Sequence, residues 1–164
     1  MMAYEFDLRR MTRHLTDILD RDKEVIVTDD TEFAFQKVIY GEPSQILEWP
    51  LLSVMPINKS RELKTTRKYE VIFEIHLILY HGEITTTGEI QEGTHKRAEA
   101  LEYYIMSDRT WNFIDLNDPT KQKVIHGYVA NLDHPNVFMG TDALWSASRL
   151  NLQALSEENF HGES

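Results

Sequence analysis

The side chains in this chain that could carry acid–base or metal chemistry are its seven histidines and 27 aspartates and glutamates. Cysteine is absent, which excludes disulfides and thiolate chemistry. No two histidines form an H-x-H or H-E-x-x-H ligand pair. His76 and His81 flank the end of one strand-like run. At that odd spacing they point to opposite faces of a strand and cannot share a metal. His126 falls on an apolar strand face, where a hydrogen-bonded core histidine is expected rather than a ligand. His14, His95, His134 and His161 read as surface residues. There is no G-x-S-x-G nucleophile elbow and no G-x-x-x-x-G-K-[ST] phosphate loop. The glycine-bearing stretch 82–93 instead carries Glu83, Glu89 and Glu92, which repel phosphate. On this reading no catalytic, cofactor-binding or metal residue is assigned, and no cofactor is expected.

The elements that would position these groups follow from periodicity. Leu8, Met11, Leu15, Ile18 and Leu19 recur at helical spacing, with Asp7, Arg9, Arg10, Arg13 and Asp17 opposite, predicting an amphipathic helix over residues 6–19. Val25-Ile26-Val27 reads as a brief strand, and residues 33–40 as a strand or extended connector. A turn at 41–44 leads to Pro50 and a short apolar strand at Leu51, Leu52, Val54 and Met55. After a polar, basic excursion over 57–68 comes an overlong strand, residues 69–80. Its odd positions are all apolar or aromatic and its even positions begin polar or mixed (Glu70, Ile72, Glu74, His76). Residues 82–93 look like a flexible loop. Thr94 is the expected N-cap of a second helix with Ala98, Leu101, Tyr104 and Ile105 buried, ending near 107–111. Turns at 117–120 and 133–136 bracket a strand with Val124, His126, Tyr128, Ala130 and Leu132 on one face. A last strand spans 143–155, with a bulge near Arg149 where apolar parity changes. Trp49, Trp111 and Trp145 read as core or interface anchors.

Turns join neighbouring strands, so an antiparallel sheet is expected. The fold class is α+β, with two main helices packed on one face of the sheet and a long protruding β-hairpin. One domain covers 1–160, with 161–164 as a flexible tail and the polar run from Ser156 only loosely held. A strand of some 40 Å is roughly twice the usual length. A small domain seldom covers such a strand alone, which suggests packing against copies of itself.

Charge narrows the partners. The formal net charge of −10 argues against phosphate-backbone binding as the main task. No apolar run reaches membrane-spanning length. Residues 1–7 lack the basic-then-apolar order of a signal peptide, so the Asn58-Lys59-Ser60 sequon carries no weight. Within this acidic chain Lys59, Arg61, Lys64, Arg67 and Lys68 cluster, opposed only by Glu62. They could be a solvated guard against aggregation, an arm reaching an acidic patch on another subunit, or, last, a weak contact to DNA phosphates.

The stretch Gly41-Glu42-Pro43, Ile46, 50–54 and Pro56, then the basic loop and 70–75, resembles tail terminator and tail completion (neck) proteins of long-tailed bacteriophages. The ending, residues 143–152, is similar to the final strand of that group, and the helix from Thr94 sits where the family places its second helix. The resemblance covers most of the chain, from Tyr4 to Phe160, through element order and a diffuse pattern. It implies a virion structural protein: a homo-oligomeric ring, usually a hexamer, assembled in the host cytoplasm. Such a ring caps the tail tube and joins it to the head connector. Its implied partners are copies of itself, the tube protein (and the sheath protein of a contractile tail) and neck or head-completion proteins, with DNA passing through unbound and no membrane. The five basic residues are then expected at subunit or tube contacts. Two other readings stay open: a soluble enzyme with a site assembled from scattered carboxylates and histidines, such as Glu74, His76 and His126, and a small adaptor that binds a partner strand at a sheet edge.

Overall fold

The computed structural model describes residues 8–26, 36–43, 50–66, 68–83, 90–107, 124–139 and 143–159. They form an α+β fold in the order α1 (Leu8–Ile26), β1 (Lys37–Tyr40), β2 (Leu51–Leu63), β3 (Lys68–Glu83), α2 (Ile90–Met106), β4 (Val124–Asp133), β5 (Asn136–Met139) and β6 (Ala143–Asn159). One mixed sheet runs β1-β2-β3-β6-β4, with β5 also beside β6.

β3 organises the molecule. Val71, Phe73, Ile75, Leu77 and Leu79 are each 0% exposed, while Glu70, Ile72, Glu74, His76 and Ile78 between them are half-buried. The buried set shares one core with Met11, Leu15 and Leu19 of α1, Leu101 and Ile105 of α2, and Leu150, Leu152 and Ala154 of β6. Each such large side chain contributes about 1.5–3 kcal/mol relative to exposure. α1 lies against β1 and β2, and α2 against β3, β4 and β6.

Several expectations need correction. α1 runs on to Ile26, because Ile26 extends the buried stripe of Leu15 and Leu19; Val25 and Ile26 are therefore helical rather than a strand. Thr12 and Thr16 fit this stripe by donating their hydroxyls to Leu8 O and Thr12 O, at 2.6 and 2.7 Å. α2 starts at Ile90, so Thr94 lies inside the helix rather than capping it, and Gly82 and Glu83 belong to β3 rather than to a loop. A glycine inside a helix costs about 1 kcal/mol against alanine, which packing from Ala98 onward outweighs. The sheet is not wholly antiparallel: β1 pairs parallel with β2. The chain leaves β1 at Gly41, whose φ of 86° favours glycine although nothing crowds its Cβ position.

Residues 57–63, expected as a loop, are strand. Their polarity is overridden by the ladder to β3, which continues through Leu63↔Tyr69. β6 has no bulge at Arg149; its pairing to β3 is continuous from Ala147 to Asn159. Parity changes there because Ala147 is buried on the other face, in a small second cluster with Leu51 and Tyr80. Ser156 to Asn159 are paired to β3 rather than forming a loose tail. β4 does not keep one face, since its register slips between Val124 and His126 and between Val129 and Asn131. His126 and Tyr128 stand opposite Leu155 and Gln153, whereas Leu132 stands opposite the core residue Leu150. β5 escaped the sequence reading. The expected turn at 117–120, Trp49, Trp111 and the side chain of Trp145 lie outside the described residues.

A hydrogen bond ties the two helices: Tyr104 Oη donates to Asp22 Oδ2 at 2.6 Å. Arg21 clamps the same carboxylate with two bonds of 2.9 Å. Arg21 first, and then Tyr104, hold the Asp22 carboxyl below its usual range, and burial pushes the Tyr104 phenol up. A lowered carboxyl stabilises the fold above its unfolded pKa and ceases to do so as pH falls through the folded value. A raised phenol keeps the fold stable below about pH 10 and weakens it as pH climbs toward the folded value. Tyr104→Phe is expected to cost about 1–2 kcal/mol at neutral pH. It should also flatten the loss of stability below about pH 4, measured by urea unfolding across pH. An unchanged acid limb would show that this bond does not tie the helices.

Candidate functional site

Two places bring chemistry-bearing side chains together. The first is a polar cluster, buried except at His134, assembled from four separate elements. Ser148 lies on the core side of β6, opposite Leu79, and is 0% exposed. His81 is the extra residue of a β3 bulge, between the pairs Tyr80↔Ala147 and Gly82↔Ser146, and is buried beside it. Arg97 reaches in from α2, and His134 from the junction of β4 and β5.

The proton directions follow from one fixed donor. A guanidinium cannot accept, so Arg97 Nη1 donates to His81 Nδ1. A neutral His81 then carries its proton on Nε2 and donates to Ser148 Oγ at 2.8 Å. The serine hydroxyl proton is left for His134 Nδ1 at 2.7 Å. With both its nitrogens engaged in this way, His81 can neither ligate a metal through Nε2 nor take the serine proton. His134 could accept that proton, but a fully buried Ser148 offers no approach to a substrate carbonyl. The cluster therefore joins β3, β6, α2 and the β4–β5 junction, where Ala147 N also donates to Pro135 O at 3.1 Å.

The convergence of these four residues escaped the sequence reading because positions 81, 97, 134 and 148 share no local spacing. One signal was present: Arg97, Leu101 and Ile105 fall on a single helical stripe, which places a cation on the buried side. His134, read as a surface residue, is exposed but bonded inward.

The residues of the enzyme reading do not converge. Glu74 and His76 are neighbours on β3, 3.3 Å apart, on the face away from Phe73 and Ile75. His126 stands opposite Leu155, with its ring 5.4 Å from that of Tyr128. β6 separates the two strands by about 10 Å at the usual strand spacing, and His126 is level with Ile72, so Glu74 and His76 lie farther away still. His76 and His81 face opposite ways, as their spacing requires. Among the described residues, no group of three or more His, Asp or Glu side chains could hold a metal ion. No helix among them is long and apolar enough to cross a membrane.

The second place is the outer half of the β2–β3 ladder, which holds the basic residues. β1 covers β2 only from Leu51 to Val54. Beyond that, among the described residues, β2 pairs on one side only, with β3. A bulge at Ile57 shifts the register between Pro56 and Asn58 and so reverses which β2 side chains face the core side. Leu52 and Val54 face it in the inner half, and Lys59, Arg61 and Leu63 in the outer half, opposite Phe73, Val71 and Tyr69. Lys59 Nζ sits 5.4 Å above the Phe73 ring, its stem covering apolar surface. Arg61 is exposed, and Ile57 and Leu63 are 41% and 58% exposed. Lys64, at the tip, lies 3.6 Å from Glu62 and 3.7 Å from Glu70. Lys68 opens β3 opposite Asn159, and Arg67 lies outside the described residues.

Ser148→Ala removes the acceptor of the buried His81 Nε2–H and is expected to cost about 1–3 kcal/mol. His81→Leu with Ser148→Ala should cost less than the two single changes summed, read from chemical denaturation; strict additivity would mean that the two side chains are not coupled. No known family model matches this chain, and no curated protein matches it in sequence.

Proposed function

We propose that this chain is a virion structural protein that assembles into a homo-oligomeric ring, a hexamer, at the tail end or head–tail junction of a long-tailed bacteriophage. The ring terminates the tail tube and joins it to the head connector. The observation that carries the reading is the outer half of β2, a strand of 13 residues covered by β1 only at its first four. It combines an edge paired on one side among the described residues with exposed Ile57 and Leu63. Edges of that kind are templates for another chain. The same ladder carries Lys59, Arg61, Lys64, Arg67 and Lys68, which this reading places at subunit or tube contacts, on an arm extending past helices that lie on one side of the sheet. In a closed ring each subunit offers one surface to the next and receives a different one. The partners are further copies, the tube protein (with a sheath protein in a contractile tail) and neck or head-completion proteins. A net charge of −10 suits a channel that DNA crosses without adhering. The adaptor reading draws on the same edge, occupied by a different partner, and particle mass separates the two.

Native mass spectrometry and negative-stain imaging, alone and with the cognate tube protein, are expected to give a closed ring of identical subunits. Changing Lys59, Arg61, Lys64, Arg67 and Lys68 together to Gln should abolish the ring while leaving the unfolding free energy within about 1 kcal/mol, because exposed ion pairs contribute little to folding. A wild-type chain that stays monomeric in both conditions would overturn the reading. An unchanged ring from the five-fold variant would remove those residues from the contact.

A further inference from the structure

The polar cluster leaves one of its members no choice of protonation state. Arg97 Nη1 can only donate, so His81 Nδ1 has to accept, and an imidazole nitrogen accepts only while the ring is neutral. A second proton on His81 would set N–H against N–H, beside a guanidinium, where His81 and Arg97 are 5% and 8% exposed. His134 is under no such limit. It is exposed, and a proton added at Nδ1 reverses its bond, so that it donates to Ser148 Oγ. That oxygen has two lone pairs and can accept from both histidines. Among the described residues, the groups that meet His81 are thus Arg97 from α2 and Ser148 from β6, with His134 one bond further on. Arg149 and Asp133, next in sequence to Ser148 and His134, pair with each other on the opposite face of the sheet, and Lys96 and Glu99 of α2 are exposed.

We propose that His81 is a pH-sensitive latch: neutral, it holds the first half of α2 and the β4–β5 junction on the sheet, and protonated in mild acid it releases them. The fold binds the neutral imidazole. Its contribution is therefore complete above the ordinary histidine range of about 6.5 and is lost as pH falls below it. The release is local. Leu101 and Ile105, further along α2, stay in the apolar core with Val71, Phe73 and Leu150, so the opening is confined to the turns before them and to the junction. Local opening of this kind takes less free energy than unfolding the sheet. The latch lies within one subunit and does not depend on ring assembly.

Hydrogen–deuterium exchange of the full chain, corrected for intrinsic rates, tests this. The reporters are amides 96–100 of α2 and the Ala147 amide, which donates to Pro135 O. Their protection should fall about tenfold between about pH 7.5 and about pH 5.5, the most that one histidine able to protonate only when released gives one pH unit below about 6.5. Phe73 and Ile75, paired to strands on both sides, should keep theirs. His81→Gln supplies an acceptor and a donor without a titrating group and should reduce the fall to about twofold or less. His134→Gln should leave the fall in place. Imidazole nitrogen NMR of the wild-type chain needs no variant: above the ordinary histidine range His81 should carry its proton on Nε2 alone. Wild-type protection that does not fall, or a fall that His81→Gln retains or His134→Gln abolishes, would overturn the proposal. So would a His81 carrying both protons while amides 96–100 stay protected, a result that decides the matter even where His81→Gln fails to fold.

Discussion

Alternate burial along β3 is the constraint on which the rest of the molecule depends. Val71, Phe73, Ile75, Leu77 and Leu79 are sealed from solvent on one face, and the residues between them are not. A slip of one residue would expose all five and bury glutamates, so the register to β2 and β6 is tightly specified. Both helices place their buried residues in the core built on this face. Register to β6 then puts Ser148 opposite Leu79, where the bulge at His81 lets Arg97 and His134 complete a hydrogen-bonded polar cluster. That cluster is costly to leave incomplete, so it fixes how α2 and the β4–β5 junction meet the sheet.

Two bulges have opposite consequences at the two ends of the β3 ladders. The one at His81 turns an imidazole inward to join β3 to β6 and α2. The one at Ile57 of β2 turns Lys59 and Arg61 to the core side at the outer end. Side chains with long aliphatic stems suit that position, as Lys59 over Phe73 illustrates. The outer ladder thus stays paired to β3 although its own sequence is polar.

Much of this was legible in the residues. The period of two in residues 69–80 located β3 and its buried face, and the helical spacing of Leu8, Met11, Leu15 and Leu19 located α1. Ala98, Leu101 and Ile105 marked the buried side of α2. What stayed hidden depends on partners distant in sequence. Residues 57–63 are strand because β3 templates them, and nothing local says so. The parallel pairing of β1 is set by the ten-residue path after Tyr40, which reads locally as a turn. Bulges at Ile57, His81 and within β4 leave no trace in composition, and each reassigns the faces beyond it. The Arg97–His81–Ser148–His134 cluster joins four elements, and only the helical stripe of Arg97 hinted at it.

The central claim is that the outer β2–β3 ladder finishes its packing against another copy. Hydrogen–deuterium exchange of the β2 amides, followed from dilute protein into the concentration range of self-association, tests this most directly. The account requires protection of residues 58–63 to rise together with particle mass, while residues 51–54, already covered by β1, exchange at an unchanged rate. Equal protection of both segments at every concentration, in a particle of one-chain mass, would contradict it.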